Sequence, residues 1–304
     1  MNPPTLSDLP NKTIVVVGDI MLDHYVMGET SRISPEAPTQ VVDVESEQYV
    51  LGGAGNVAAK IVELGGKAIL IGFVGVDDDS VILQDLLHAQ GIISRLIHIT
   101  GRRTTRKMRC VSRGQQLLRL DYETLEKPFN HTWSELNGKY KLACDEADAV
   151  ILQDYSKGVL TKDSLEYLLS HTTSPVLVEP KDKPIEQYSG CTAIKPNIVE
   201  AELAVGRRLK TDEDFEDAAT QIKARTGADV YITRGSAGIT IKNSQTHHVK
   251  TSKYNVFDTT GAGDAVAAVL ALAMADQWDA RCAAEAANIA GGIIVGQVGN
   301  GTLL

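Results

Sequence analysis

A single rhythm limits what this chain can fold into. Short runs of aliphatic and β-branched residues end on glycine or a polar residue, and a helix-length stretch follows. Thr13-Ile-Val-Val-Val17 ends at Gly18-Asp19, and Ala68-Ile-Leu-Ile-Gly72 precedes an expected helix from about Ser80 to His88. Ala149-Val-Ile-Leu-Gln153 leads through Asp154-Tyr-Ser-Lys-Gly158 to an expected helix from about Thr161 to Ser170. Pro175 to Lys181, Thr192 to Asn197 and Asp229 to Thr233 continue the pattern. Apolar runs without alternation belong to strands buried on both faces, and strands interleaved with helices build a parallel α/β sheet.

Two stretches break the rhythm. From His24 to Val50, β-formers (Tyr25, Val26, Val41, Val42, Val44, Tyr49, Val50) flank Ser31-Arg-Ile-Ser-Pro-Glu-Ala-Pro38, which reads as short strands and a loop. Thr104 to Tyr122 has the same texture. Together they predict a small second sheet lying over the site as a lid. Asp23 is placed just past the end of the first strand, at the sheet edge where α/β proteins bind ligands; a solvated loop acid fits equally well there. Between the two stretches, Gly52-Gly-Ala-Gly-Asn56 opens an alanine-rich helix. Its spacing is wrong for G-x-G-x-x-G, and no strand is expected to feed directly into it.

Near the C-terminus, Tyr254-Asn-Val-Phe257 reads as the end of an extended segment. Asp258-Thr-Thr-Gly-Ala-Gly-Asp264 follows, and then the small-residue run Ala265 to Ala275 with high helix propensity. A glycine turn entering a helix leaves backbone N–H groups unpaired at the positive end of the helix dipole, where anions bind. A carboxylate beside such an anion site is what phosphoryl transfer to an alcohol requires. Asp264 is therefore open to three readings: catalytic base, neighbour of a bound phosphate, or helix cap.

The balance of charge narrows the classes. The 304 residues are 43% hydrophobic and 23% charged, with a net charge of −9, which argues against general nucleic-acid binding. Cys110, Cys144, Cys191 and Cys282 are too scattered to suggest a zinc site or a disulfide framework. The N-terminus has no signal pattern and the longest apolar run is too short to span a bilayer, so a cytoplasmic protein is expected, with no membrane partner. No linker or repeat is evident, and residues 1–304 read as one domain with lid strands at about 24–50 and 104–122.

Across essentially its whole length the chain resembles the ribokinase-like carbohydrate kinases. The resemblance rests on Gly52, Gly53 and Asn56; on Asn197 to Glu200; on Thr233, Gly235 and Gly238; and on the complete 258–264 signature. It implies a three-layer sandwich with a mainly parallel central sheet and a small β-sheet lid, and an ATP- and magnesium-dependent sugar kinase. In that family Asp264 would be the base, and Gly261, Ala262 and Gly263 the anion hole. Lys181, Asn197, Glu200, Thr233, Arg234, Gly235, Gly238 and Asn288 would serve the nucleotide. Glu200 would order magnesium through water, and Asp258 and Thr260 would hold a monovalent cation such as potassium.

Several stretches are most similar to the branch of the family that acts on D-glycero-D-manno-heptose 7-phosphate, making the 1,7-bisphosphate for lipopolysaccharide. They are Gly18 to Asp23, Thr30 to Pro38, Thr105 to Glu123 and Asp154 to Gly158. Arg32, Lys107, Arg109 and Lys157 form a basic set able to hold a sugar phosphate, with Asp23, Asp154 and Asn56 for hydroxyls. Two positions depart from the branch. Glu179-Pro180-Lys181 stands where the heptose kinases have Asp-Pro-Lys, and Lys195-Pro196 before Asn197 looks more like fructokinase or ribokinase relatives. A kinase for fructose, ribose or a fructose phosphate is the rival within the class, and a catalytically silent sugar-phosphate-binding protein the rival outside it. The chain ends at Leu304, as expected of a stand-alone kinase form, and a homodimer through the lid is expected.

Overall fold

A computed structural model describes residues 5–124, 130–252, 258–297 and 301–303. The expected Tyr254–Phe257 extension lies outside these residues.

The apolar runs pair side by side into one nine-stranded sheet. Its order is Thr246–Val249, Ile239–Lys242, Asp229–Thr233, Ala193–Ile194, Val176–Glu179, Ala149–Gln153, Thr13–Gly18, Lys67–Ile71 and Ile93–Ser94. The pairings are parallel except for the two at the Thr246–Val249 edge, which are antiparallel. Alternate residues of the central strands point to opposite faces. Ile14, Val16, Leu70 and Ile151 join one core with the helices Ala54–Glu63, Ala262–Ala275 and Ala280–Val295; Val15, Val17, Ile71 and Leu152 join a second core with Asn130–Cys144, Lys162–Ser170 and Asp212–Thr226. This is the expected three-layer sandwich. The Ala262–Ala275 helix is apolar on all sides and is buried throughout from Asp264 to Ala273; its alanines allow close approach to both the sheet and the last helix.

The small sheet is present, but its strands are not short. Ile20–Ile33 and Gln40–Gly53 are each 14 residues long and form one hairpin, with Arg106–Ser112 and Gln115–Tyr122 completing a four-stranded sheet. Pro35 and Pro38 lie in the turn at 34–39 that joins the two strands, and register shifts at Met27/Gly28 and Thr30/Arg32 keep the rest of the pairing continuous. At Gly28 any β-carbon would lie 2.2 Å from the Asp43 carbonyl oxygen. Asp23 consequently lies within a strand and is buried, not in a solvated loop.

A second correction concerns Gly52 and Gly53. The Gln40–Gly53 strand feeds directly into the helix beginning at Ala54. Gly53 makes this possible at φ +55°, where a β-carbon would lie 2.4 Å from the Asp19 carbonyl oxygen. At Gly52 a β-carbon would lie 2.6 Å from Asp23 Oδ2. The Ala54 N–H then donates to that same Asp19 carbonyl at 3.0 Å.

Candidate active site

Gly261 caps the Ala262–Ala275 helix at φ +78° with no side-chain cap bond, which places Asp264 in the first helical turn. Asp264 is therefore not the helix cap. Its carboxylate faces away from its own helix ends: Asn56 Nδ2 donates to Oδ2 at 2.6 Å and Tyr155 Oη donates to Oδ1 at 3.2 Å. Burial pushes its pKa above the ordinary carboxylate value, opposed by the Asn56 bond, the Lys195 charge and the Tyr155 bond. A carboxylate made more basic in this way is suited to accept a proton from an alcohol.

Two buried groups missed in the sequence frame this acid. The Asp19 carboxylate accepts the backbone N–H groups of Tyr155, Lys157 and Val159 at 2.8, 3.0 and 3.1 Å, fixing the Asp154–Gly158 loop over the sheet edge. Burial raises its pKa despite these bonds. Its signal was an acid directly after Gly18 at the end of the first strand. The other group is a pair. Lys195 Nζ and Glu179 Oε1 are 2.8 Å apart, the lysine buried and the glutamate largely so, with Gln153 Nε2 donating to Glu179 Oε2 at 3.2 Å. The two departures from the heptose-kinase pattern thus meet in space. Burial pushes the Glu179 carboxyl up to about 7 against the pull of Lys195.

The small sheet sorts its residues by face. Strand register places Asp23, Lys107 and Asp121 side by side, with Tyr25, Arg109 and Arg119 in the next row; His24, Met108 and Leu120 occupy the alternate row. Arg109 Nη1 contacts Asp23 Oδ1 at 2.7 Å, and Lys157 pairs with Glu123 at 2.7 Å. Lys107 is half-buried, has no salt bridge or side-chain hydrogen bond among the described residues, and lies 5.9 Å from the centroid of the Tyr155 ring. Burial lowers its pKa, opposed by Asp23 and Asp121. Arg32 stands apart near the hairpin tip, its side chain 64% exposed and 3.7 Å from Asp43. Asp154 is fully engaged elsewhere, accepting from Lys183, the Tyr188 hydroxyl (2.7 Å) and the Ser156 amide (2.8 Å). Of the expected basic set, Lys107 lies near Lys157 and shares Asp23 with Arg109, whereas Arg32 stands apart near the hairpin tip.

On the other side of Asp264, Asn197 and Glu200 form a reciprocal capping box on the Ile198–Val205 helix, with bonds of 3.0 and 2.9 Å. Lys181 reaches Glu200 at 3.4 Å, and Thr233 bridges Asn197 at the sheet edge. Gly235 and Gly238 have φ of +57° and +89°, and a β-carbon at Gly238 would lie 2.0 Å from the Val249 carbonyl oxygen. Asn288 Nδ2 donates to that same carbonyl at 3.0 Å. Beside it opens a cavity of about 510 Å³ lined by His248, Val249, Lys250, Glu285, Asn288 and Ile289. Arg234 turns to Asp212 (2.6 Å) and Thr240 (3.0 Å). Thr260 donates its N–H and hydroxyl to Asp258 Oδ1 at 2.9 and 2.8 Å.

A buried carboxylate in the first turn of a helix, with a small second sheet beside it, thus sits at the carboxyl edge of the large sheet. The pfkB family of carbohydrate kinases matches residues 11–304, and the chain belongs to it. It is a sugar kinase. It is 42% identical over 296 residues to the bifunctional protein HldE of Caulobacter vibrioides, covering 95% of this chain and 61% of that protein. It is 38% identical over 290 residues to the HldE of Nitratiruptor, covering 95% and 62% respectively. The chain thus spans about three fifths of the length of the curated relatives it matches. Phosphofructokinase-2 from Escherichia coli in complex with potassium shares the fold at TM-score 0.82 and 19% identity, over 96% of this chain and 94% of that one. Arabidopsis thaliana ribokinase complexed with ribose and ATP does so at 0.75 and 19%, over 95% and 94%.

Among the described residues no three His, Cys, Asp or Glu side chains converge to hold a metal, and no helix is long and apolar enough to cross a membrane. The donor set near the capping box is Glu200 with Asn197. That set fits a magnesium ion carried mainly by nucleotide phosphates and water.

Proposed function

We propose that the chain phosphorylates the anomeric hydroxyl of D-glycero-D-manno-heptose 7-phosphate, using ATP, to give the 1,7-bisphosphate for activated-heptose and lipopolysaccharide synthesis in the cytoplasm. The observation that carries the chemistry is the buried Asp264 carboxylate in the first turn of the Ala262–Ala275 helix. Asp264 takes the proton as the hydroxyl oxygen attacks the γ-phosphorus in line; the bond to the bridging oxygen breaks and ADP leaves. The Gly261, Ala262 and Gly263 amides neutralise charge building on the transferred group. Asn197, Thr233, Arg234, Gly235 and Gly238 line the phosphate path, Lys181 adds positive charge beside it, and Asn288 borders the cavity we assign to adenine. Magnesium, when bound, neutralises the phosphates; Glu200 would order its water shell. Asp258 and Thr260 are the residues we assign to a monovalent cation.

The choice of a phosphorylated heptose rests on the similarity to the HldE proteins and on Lys107, a half-buried cation that makes no salt bridge among the described residues. Asp23, Gly52, Gly53, Asn56 and Arg109 would shape the sugar's hydroxyl side, with Asp154, Lys157 and Arg32 acting through the loop and lid that carry them. Ile33, Val44, Leu118 and Leu120, exposed on the small sheet, are the apolar surface a second copy would cover in a homodimer.

ADP release against heptose 7-phosphate, fructose 6-phosphate, fructose and ribose tests this reading, with Asp264→Asn alongside. Turnover confined to the heptose phosphate, and reduced roughly 10²- to 10⁴-fold in the variant, is expected. Preference for an unphosphorylated sugar would remove the role given to Lys107. Undiminished turnover in Asp264→Asn would remove the base.

A further inference from the structure

Asp264 has two oxygens, and the protein treats them differently. Among the described residues, Oδ2 accepts a short bond from Asn56 at 2.6 Å and Oδ1 a longer one from Tyr155 at 3.2 Å. Each oxygen keeps a lone pair open, and Oδ1, held by the longer bond, is the one more readily turned toward an acceptor hydroxyl. Both donors are indexed to one residue. The Asp19 carbonyl accepts the Ala54 N–H at the start of the helix bearing Asn56, and the Asp19 carboxylate accepts the Tyr155 N–H. Tyr155 itself is half-buried between two roles, since its hydroxyl meets Asp264 while its ring lies 5.9 Å from Lys107 Nζ.

We propose that Tyr155 is a positioning residue for Asp264: its hydroxyl turns Oδ1 toward the acceptor hydroxyl, and its ring separately seats Lys107 for the substrate's anionic group. The proposal rests on Asp264 being the base. Other groups face that carboxylate too: Asn56 from the Ala54–Glu63 helix, Lys195 and Glu179 from the ends of their strands, and Asp23 from the lid strand. None of them is changed by removing one hydroxyl. Burial and the neighbouring Asp264 charge hold the Tyr155 hydroxyl far above the ordinary phenol value, so it remains a donor throughout the working pH range.

Tyr155→Phe and Tyr155→Leu, made in the full chain, separate the two roles. Steady-state kinetics with heptose 7-phosphate would run from about pH 5 to about pH 9, with Asp264→Asn in parallel. The Phe variant is expected to lose roughly tenfold or more in kcat with KM unchanged, the loss typical of a hydrogen bond to a charged group. The sign of the pH effect is also fixed. A donor stabilises the ionised carboxylate, so its removal raises the Asp264 pKa and moves the acid limb of the kcat profile to higher pH. The Leu variant should add a rise in KM for the sugar phosphate. Because each limb is normalised to the variant's own maximum, partial loss of folded protein leaves it in place. Wild-type kcat and limb in Tyr155→Phe would overturn the proposal, as would a change in KM alone. Retained turnover in Asp264→Asn would instead overturn the assignment of the base, whatever Tyr155 does.

Discussion

The floor of the site and its lid are built on opposite plans. On the floor, Asp264, Asn56, Asp19 and Lys195 are buried and Glu179 largely so, and every one is held by a named partner. The lid is two 14-residue strands and a shorter pair whose outer charges, such as Arg32 with Asp43 and Arg113 with Glu29, stay exposed. Only the root of the lid, where Asp23, Lys107 and Arg109 sit, carries charge out of solvent. The contrast teaches where preorganisation is placed. The groups we assign to proton transfer are fixed in the protein itself, while those we assign to the substrate are gathered at one end of a largely solvated sheet.

The hardest test of the floor is the Glu179–Lys195 pair. Lys195→Met alone leaves a buried carboxyl without its counter-charge and is expected to cost about 3–5 kcal/mol, read by thermal or denaturant unfolding. Adding Glu179→Gln should return part of that loss; strict additivity would show that the two are not coupled. The pH dependence follows from burial raising Glu179 to about 7, above its ordinary 4.5. Stability from this group is fully present below its unfolded value and is lost as pH rises through the folded one. The advantage of wild type over Glu179→Gln should therefore shrink between about pH 5 and about pH 8.

A smaller effect, on binding and not on folding, is expected at the root of the lid. Lys107→Met should raise KM for the sugar phosphate about 10- to 100-fold, the worth of one charge-assisted contact, with kcat changed by no more than a few-fold. An unphosphorylated sugar tested in parallel should show no such penalty. Smallest of all, Arg32→Ala should alter kcat/KM by less than about threefold, because exposed ion pairs contribute ~0–1 kcal/mol. A large loss there would sharpen the comparison in an unexpected direction, by bringing the hairpin tip into the substrate site.

Much of the floor could be read in advance because its signals are local. Parallel strands buried on both faces appear as unbroken apolar runs, and Gly261-Ala-Gly-Asp264 announces a helix entry with an acid in its first turn. The length of the lid strands is not legible in the sequence because the Ser31–Pro38 stretch, with its two prolines, reads as a break. A turn at the hairpin tip takes up both prolines, and two register shifts keep the rest of the pairing continuous. Asp19 and Tyr155 were passed over because their partners are remote in sequence: the Asp19 acceptor sites serve amides 136 to 140 residues away, and Asn56 finds Asp264 across 208. No spacing rule reaches that far. The Asn197–Glu200 capping box, three residues apart, was legible for the opposite reason.

The passage of strand into helix at Gly53 has a practical consequence for anyone recombining these enzymes. The hairpin and the helix that carries Asn56 share a border with no spare residue, and the two glycines there fit against Asp19 and Asp23. A chimaera cut at that border would graft a new specificity module onto a misaligned catalytic unit. The seam for such an exchange lies after Glu63, so that the long hairpin and the Asn56 amide that donates to Asp264 travel as one segment, and the Arg106–Ser112 and Gln115–Tyr122 strands of the small sheet must then be matched to it.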